Sequence, residues 1–493
     1  MTDNLMVLGT GSGVGKSLVV TALGRWFQQQ GKTVAPFKAQ NMSNNATVAR
    51  EGGEIAISQA IQAKACGQVP SIHHNPILLK PTAEQSSEVV VRGEVRDRMS
   101  WNEYREQHDE MKQVVLDSYR SLEENNDFVL MEGAGSPSEP NLKSHDLVNL
   151  PMAQSVSAPA IVVGDIRRGG VFAWLAGTLE WMSPSERSRI KGVVINRFRG
   201  NRDVLSPAIE QFEDRYQCPV LGVIPERDYV GVPSEDSLDA TGRKITSHRE
   251  DSLSVAVVHT RKASNLSDVQ PLTRETDITL DVLTPGEIDD SYDLIILPGS
   301  KNTIGDLRQL KQEDWDQKLK AHLGRGGCVL GICGGYQMLG KTITDRNGVE
   351  SDGKAVEGFG LLNIHTDFQR PKITRRVSGY ILGNYEFDGY EIRWGRISVD
   401  SSHDTWVKTG EVEGPLGVYS GNVWGTSIHG ILDRAGARRW FLNRIREVQN
   451  LQPVDRKDRT GDVFTDWSQH VIDHVDTDLL KQIVHSSAES VPV

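Results

Sequence analysis

Cysteine is scarce in this chain. Four cysteines, Cys66, Cys218, Cys328 and Cys333, are scattered through 493 residues. They do not form the two closely spaced pairs of a zinc site, and so few cannot form the disulfide framework of a small secreted domain. We therefore expect reduced thiols, one of them a candidate nucleophile.

Long apolar runs and a positive net charge are also missing. No run approaches the roughly 20 residues that a membrane-spanning helix needs, and the first residues lack the pattern of a secretory signal. We expect no membrane span and a cytoplasmic location. The net charge of −11 argues against a nucleic-acid partner, and an anionic substrate would have to be met by local basic groups.

The chain is too long for one ordinary domain, and its apolar runs alternate with segments of helical spacing. This alternation predicts an α/β fold with parallel sheets. The predicted strands of the first half are Leu5–Leu8, Thr33–Pro36, Val89–Val91, Phe128–Met131, Ala160–Val163, Ile190–Ile195 and Val220–Ile224, with a long helix over 101–122. We predict a first domain over 1–235, a linker over 236–252, a second domain over 253–448 and a polar tail over 449–493.

A glycine-rich stretch ending in Lys-Ser lies between the first predicted strand and helix. It reads Gly9-Thr10-Gly11-Ser12-Gly13-Val14-Gly15-Lys16-Ser17, a variant of the phosphate-binding P-loop in which Thr10 replaces a glycine. Backbone N–H groups from Thr10 to Gly15 would surround phosphate oxygens, Lys16 would bind the outer phosphates and Ser17 would bind Mg²⁺. An ordinary glycine turn is the alternative, but strand and helix on either side favour ATP binding.

Polar side chains follow several of the predicted strands. In parallel sheets, ligands bind at the carboxyl ends of the strands. The residues at these ends include Lys38, Glu132, Asp165, Arg168, Asn196 and Arg197. We predict Glu132 as a Mg²⁺ ligand with Ser17, and Lys38 and Asn196 as phosphate-binding residues. Each alone could equally be a surface charge.

A second candidate site centres on Gly331-Ile332-Cys333-Gly334-Gly335. Small residues around a nucleophile between a strand and a helix predict a nucleophile elbow. The N–H groups of Gly334 and of the Gly299 turn are candidate oxyanion donors, and His429 is the candidate base. The alternative for Cys333 is a buried core cysteine, and a lone histidine is weak evidence. A Cys–His pair would perform acyl transfer, such as amide hydrolysis.

These stretches together resemble the cobyric acid synthase family. The matching runs cover about residues 4 to 447 and are Thr10 to Ser17, Pro36 to Met42, Gly52 to Ile55, Asn75 to Pro81, Glu132 to Pro137, Asp146 to Asn149, Gly170 to Ala173, Ile195 to Gly200, Pro298 to Thr303, the Cys333 elbow and Asn422 to Gly430. The resemblance implies a dethiobiotin-synthetase-like P-loop domain followed by a class I-like glutamine amidotransferase domain.

The implied reaction is the ATP-, Mg²⁺- and glutamine-dependent amidation of four carboxylates of a corrinoid, adenosylcobyrinic acid a,c-diamide. Carried over by residue, Cys333 is the glutaminase nucleophile and His429 its base, and Glu54 is a weaker metal candidate. We expect Lys38, Lys80, Arg168 and Arg197 to hold the anionic corrinoid, and Asp146 to position substrate or ammonia. The oligomeric state stays open.

The chain departs from the family pattern at three positions. Arg167 stands where an acidic residue is usual, Arg393 where a histidine is expected, and Ile431 where full amidotransferase triads carry a glutamate after the histidine. The last departure agrees with this family but leaves open what orients His429.

Two other functions remain. One is another glutamine-dependent amidoligase of the same architecture, such as cobyrinic acid a,c-diamide synthase or a cell-wall precursor amidating enzyme. The other is a P-loop switch of the chromosome-partitioning type, which usually carries a second lysine where this chain has Thr10 and needs no cysteine elbow.

Overall fold

The computed structural model describes residues 2–83, 86–227, 232, 243–244, 251–289, 291–351, 353, 355–400, 404–410, 412, 414–455 and 462–486. These residues form two compact units. The first comprises 2–43, most of 49–234 and the C-terminal residues 462–486, and the second comprises Asn44–Val48 and most of 235–455. Most of the linker predicted over 236–252 lies outside the described residues.

Strands and helices alternate in the N-terminal half of the chain. The strands are β1 Asp3–Gly9, β2 Val34–Phe37, β3 Gln40–Met42, β4 Ala46–Val48, β5 Glu54–Ala56, β6 Ile77–Ala83, β7 Ser86–Val91, β8 Glu94–Ser100, β9 Phe128–Glu132, β10 Ala160–Asp165, β11 Ile190–Phe198 and β12 Val220–Pro225. The helices are α1 Lys16–Gln29, α2 Ile57–Ala65, α3 Trp101–Glu106, α4 His108–Glu123, α5 Leu150–Ser155, α6 Val171–Glu180, α7 Pro184–Arg187 and α8 Ser206–Tyr216.

The first unit is built on a six-stranded parallel sheet in the order β12-β11-β10-β1-β9-β2. Successive residues of β1 enter two different cores, Met6 and Leu8 on one face and Leu5 and Val7 on the other. Burial on both faces explains why its strands are continuous apolar runs rather than alternating ones. The parallel sheet expected from the sequence is therefore confirmed.

Two local expectations differ from the structure. Val89–Val91 is the end of β7, which lies in a separate sheet of order β3-β6-β7-β8. The helix predicted over 101–122 is interrupted at Gln107 into α3 and α4. A capping box at Ser100, in which its hydroxyl accepts from the Glu103 N–H, begins α3.

The second unit contains the remaining elements up to residue 455. Its strands are β13 Arg243–Lys244, β14 Leu253–Val258, β15 Ala263–Ser264, β16 Ile278–Leu283, β17 Leu294–Leu297, β18 Gly299–Ser300, β19 Cys328–Ile332, β20 Thr342–Thr344, β21 Val356–Glu357, β22 Ile364–Ile381, β23 Tyr385–Val399, β24 Asp404–Thr405, β25 Val407–Lys408, β26 Gly417–Ser420 and β27 Val423–Thr426. Its helices are α9 Thr303–Gln312, α10 Trp315–Gly324, α11 Gly334–Leu339 and α12 Ala435–Val448.

The main sheet of this unit runs β13-β16-β14-β17-β19-β27-β26-β24. The strands from β16 to β27 pair in parallel, and antiparallel strands close both ends. A long antiparallel hairpin of β22 and β23 follows the elbow helix α11 along the chain.

The C-terminal residues pack against the first unit instead of forming a separate tail. Two helices, α13 Val463–Ile472 and α14 Thr477–Ser486, contribute Trp467, Val471 and Leu480 to the core beside α1. The Trp467 indole donates a hydrogen bond of 2.8 Å to the Leu18 carbonyl. Among the described residues, no helix combines the length and apolar character that crossing a bilayer requires.

Candidate active sites

The glycine-rich loop of the first unit turns between β1 and α1. Gly13 and Gly15 have φ angles of 71° and 99°, a region that side chains with a Cβ disfavour. A Cβ on Gly15 would also lie 2.2 Å from the Asn196 amide nitrogen. Asn196 donates a hydrogen bond of 2.9 Å to the Val14 carbonyl. Asn196 therefore supports the loop backbone from β11.

Lys16 is folded over the same loop. Its ammonium group donates to the Gly11 carbonyl at 2.8 Å and to the Gly135 carbonyl at 3.0 Å. Thr10 continues the β1–β10 pairing by donating its N–H to the Val163 carbonyl. The loop thus has the curled backbone and the basic side chain that phosphate binding requires.

The Glu132 carboxylate joins several of the predicted residues. Its side chain is 1% exposed, and Oε1 accepts from the Ser17 hydroxyl at 2.9 Å and from the Lys38 ammonium at 2.8 Å. Gln62 donates to Oε2. Burial opposes the charge, but Lys38, Gln62 and Lys16 together hold the pKa of Glu132 below its ordinary value. The carboxylate is consequently ionised at neutral pH.

Ser17 and Glu132 form a donor pair suited to Mg²⁺. A hydroxyl and a carboxylate next to a phosphate-binding loop are hard oxygen ligands, and Mg²⁺ commonly takes its remaining ligands from nucleotide phosphates and water. No group of three or more histidine, cysteine or acidic side chains in the described part of the chain could hold a metal by itself. Ser17 and Glu132 therefore fit a Mg²⁺ ion that binds together with a nucleotide.

The other residues predicted in this unit have different settings. Arg197 donates to the Gly13 carbonyl at 2.6 Å and to Asp165 at 2.8 Å, so it braces the loop. Arg167 also pairs with Asp165; burial raises the pKa of this carboxyl, but the two arginines outweigh that effect and lower it. Arg168 is exposed.

Lys80 and Glu54 form an ion pair in which each side chain is only 1% exposed. This burial does not favour direct contact of Lys80 with a bulky substrate.

Asp146 caps a turn by accepting the N–H groups of Val148 at 2.7 Å and Asn149 at 3.0 Å. Asn149 in turn accepts the Ala134 N–H, next to the loop after β9.

Cys333 of the second unit lies at a sharp turn between β19 and α11. Its φ and ψ angles are 51° and −101°, a strained conformation of the kind that nucleophile elbows adopt. A Cβ on Gly335 would lie 2.0 Å from the Leu297 carbonyl oxygen, and one on Gly331 would meet Gly335. Close packing thus explains the glycines on both sides of Cys333.

The candidate oxyanion donors lie beside this turn. The position of a Cβ on Gly334 would be 2.8 Å from the Ser300 backbone nitrogen, so the 299–300 turn packs directly on Gly334. The Cβ position of Gly299 is 3.2 Å from the His429 ring. The fold therefore gathers Gly334, Gly299 and His429 around Cys333, which is 7% exposed.

Asp268 orients His429. The two side chains form an ion pair of 2.6 Å between Asp268 Oδ2 and His429 Nδ1, and Asp268 Oδ1 accepts the Gly430 N–H at 2.9 Å. Burial disfavours the charged imidazole, but Asp268 and Cys333 outweigh it and raise the pKa of His429 to about 10. Ile431, where the sequence lacked a glutamate, is instead a buried core residue.

Sequence reasoning missed Asp268. It lies in the short 3₁₀ turn Leu266–Asp268, far from His429 along the chain and outside any recognisable motif. The sequence marks Asp268 only as an acidic residue that comes shortly after a strand of the same domain. Arg393, another of the three departures from the family pattern, is buried and donates to Glu391 at 2.7 Å.

The comparisons with known proteins agree with this division into two sites. A model of the CobQ/CobB/MinD/ParA nucleotide binding domain matches residues 5–238, and one of the CobB/CobQ-like glutamine amidotransferase domain matches residues 254–437. The predicted order of a P-loop domain and a glutamine amidotransferase domain is therefore confirmed.

Three relatives that match nearly the whole chain share one name. The chain is 42% identical to a cobyric acid synthase of Dehalococcoides mccartyi over 92% of both chains, and 41% identical to one of Caldanaerobacter subterraneus subsp. tengcongensis over 92% of both. It is 40% identical to a cobyric acid synthase of a Thermoanaerobacter species over 96% of this chain and 97% of the relative. The chain belongs to the cobyric acid synthase family.

Proposed function

We propose that this protein is a cobyric acid synthase of cobalamin biosynthesis. It amidates the b, d, e and g carboxylates of adenosylcobyrinic acid a,c-diamide with ATP, and takes the nitrogen from L-glutamine. The observation that carries the proposal is the cysteine elbow with its Asp268–His429 pair, on a chain that also holds a P-loop with a buried carboxylate. The whole-length relatives of that name support it.

The first unit activates the carboxylate. A carboxylate does not react with ammonia because oxide would have to leave. Its oxygen attacks the γ-phosphorus of ATP, ADP departs, and an acyl phosphate forms. Lys16 and Lys38 stabilise the negative charge that develops on the transferred group, and Ser17 and Glu132 would hold Mg²⁺, which supplies further charge neutralisation. Ammonia then attacks the acyl carbon, the bond to the phosphate oxygen breaks, and phosphate leaves with the proton that the nitrogen gives up.

The second unit releases the ammonia. The Cys333 sulfur attacks the side-chain amide carbon of glutamine, and the oxyanion faces the Gly334 and Gly299 backbone. His429 gives its proton to the departing nitrogen. Water then attacks the glutamyl thioester while His429 takes up a proton, and glutamate leaves. Asp268 keeps Nδ1 protonated, so that Nε2 is the atom that exchanges protons.

The proposal is tested by incubating the purified protein with adenosylcobyrinic acid a,c-diamide, ATP, Mg²⁺ and glutamine. Mass spectrometry should show four successive exchanges of a carboxyl hydroxyl for an amino group. The Cys333→Ala variant should lose glutamine-supported amidation and retain amidation with ammonium chloride. A wild-type product with no new amide groups contradicts the proposed reaction, and full glutamine-supported turnover by Cys333→Ala contradicts the role of Cys333.

A further inference from the structure

The segment Asn44–Val48 has an unusual position in the chain. Residues on both sides of it belong to the first unit, where the Ser43 N–H donates to the Leu79 carbonyl and the Ala49 N–H donates to the Gly53 carbonyl. The segment itself belongs to the second unit. It also follows closely after Lys38, which holds the Glu132 carboxylate. The chain therefore leaves the nucleotide-binding unit, enters the other unit and returns.

Within the second unit this segment fixes Asn265. The Asn45 side-chain oxygen accepts the Asn265 backbone N–H at 2.7 Å, and the Ala46 N–H donates to the Asn265 side-chain oxygen at 3.2 Å. Asn265 is 5% exposed and has a positive φ of 54°. These two hydrogen bonds hold both its backbone and the orientation of its carboxamide.

That orientation determines what faces His429. With the oxygen turned to Ala46, the Asn265 Nδ2 atom lies 3.4 Å from His429 Nδ1 and 3.4 Å from the Tyr390 hydroxyl. An amide nitrogen is a donor and cannot accept a hydrogen bond from Nδ1–H, so Nδ1–H donates to the Asp268 carboxylate. A flipped carboxamide would place its oxygen near Nδ1 and compete with Asp268.

The same segment also contacts Tyr390, which stacks on a face of the His429 imidazole. The Tyr390 ring stacks on His429 with centroids 5.1 Å apart, and the two residues exchange backbone hydrogen bonds of 2.9 and 3.0 Å. The Thr47 side chain hydrogen-bonds Tyr390. Asn45, Ala46 and Thr47 thus act on two of the residues that surround the catalytic imidazole.

We propose that Asn44–Val48 is a positioning segment that couples glutamine hydrolysis to ligand binding next to Lys38. Asn45 and Thr47 are positioning residues that act through Asn265 and Tyr390 on His429. When ATP and the corrinoid bind, the chain after Lys38 sets this segment in the arrangement that keeps the His429 Nδ1–H hydrogen-bonded to the Asp268 carboxylate. This inference rests on the proposed glutaminase and synthetase activities.

The test measures glutamate release by the full-length protein with glutamine alone and with ATP, Mg²⁺ and adenosylcobyrinic acid a,c-diamide added. The wild type should release glutamate faster with the added ligands. The stimulation ratio is the rate with these ligands divided by the rate with glutamine alone. Asn45→Ala should lower the stimulated kcat about fivefold, the loss expected for one hydrogen bond, and bring the ratio towards one. Asn45→Asp keeps an acceptor for the Asn265 N–H and should restore the ratio.

Two further variants make the test specific. Thr47→Ala, which acts through Tyr390, should also lower the stimulation ratio. It tests the proposal if the Asn45→Ala protein does not fold. Asn363→Ala removes an exposed asparagine of the same unit and should leave the ratio unchanged. A general loss of stability would lower both rates equally and leave the ratio intact.

The outcomes separate this inference from the proposed function. A wild-type ratio of one, or a folded Asn45→Ala protein with the wild-type ratio, overturns the coupling while glutamine hydrolysis stands. A wild type that releases no glutamate, or a Cys333→Ala variant that releases it at the wild-type rate, overturns the glutaminase assignment and the coupling with it.

Discussion

Asp268 and His429 are joined by an ion pair of 2.6 Å that is buried in the second unit. Their separation along the chain and the intervening sheet explain why the pair has no linear motif. It completes a Cys–His–Asp arrangement in which the acidic residue precedes both Cys333 and His429 in the sequence.

We expect Asp268→Asn to lower glutaminase kcat by about 10² or more, because an amide does not stabilise the imidazolium and can favour the wrong tautomer. Glutamate release measures this directly. The matched control is Asp433→Asn, which makes the same change at a nearby acidic residue. It should lower the glutaminase kcat less. Equal rates for the wild type and Asp268→Asn would mean that another group orients His429.

The pH dependence of glutamine hydrolysis should reflect the raised pKa of His429. The folded pKa of about 10 lies above the ordinary value of about 6.5, so the pair stabilises the fold fully below about pH 6.5 and this contribution is lost as the pH rises through 10. We expect kcat/KM for glutamine to fall near pH 10, and to fall at lower pH in Asp268→Asn. If kcat/KM falls at the same alkaline pH in the variant as in the wild type, Asp268 does not raise the pKa of His429.

Replacing Glu132 by glutamine should affect the synthetase reaction whatever the nitrogen source. The change removes the charge that pairs with buried Lys38 and replaces one carboxylate oxygen with an amide nitrogen that cannot accept a hydrogen bond, so we expect a loss of roughly 10² in amidation rate with either glutamine or ammonium chloride. Glutamate release without ATP should persist. Amidation that recovers when ammonium replaces glutamine would place the defect in the second unit instead.

The glycine after the elbow should be intolerant of a methyl group. Gly335→Ala would put its Cβ 2.0 Å from a backbone oxygen of β17, and we expect a cost of about 3 kcal/mol or more in the free energy of unfolding. Gly324→Ala is the matched control, since nothing lies within 4 Å of its Cβ position in α10, and alanine there should be neutral or stabilising. Urea denaturation compares the two. Equal midpoints would mean that the elbow relaxes around the methyl group.

The sequence by itself determined the features that depend on neighbouring residues. Apolar runs such as Phe128–Met131 predicted strands that are buried on both faces, and the observed strand extends one residue further to Glu132. The glycine spacing predicted the phosphate loop and the elbow, because each needs several small residues within one turn. The family resemblance followed from these local runs and is confirmed by the relatives.

Only the tertiary structure decided which distant residues meet. Asp268 next to His429, Glu54 against Lys80, the Asn45–Asn265 contact and α13 against α1 all join segments that are remote in the sequence. An acidic or amide side chain carries no local pattern that names its partner, because ion pairing depends on distance in space. The sequence therefore predicted the two candidate sites, whereas folding determined which residues surround them.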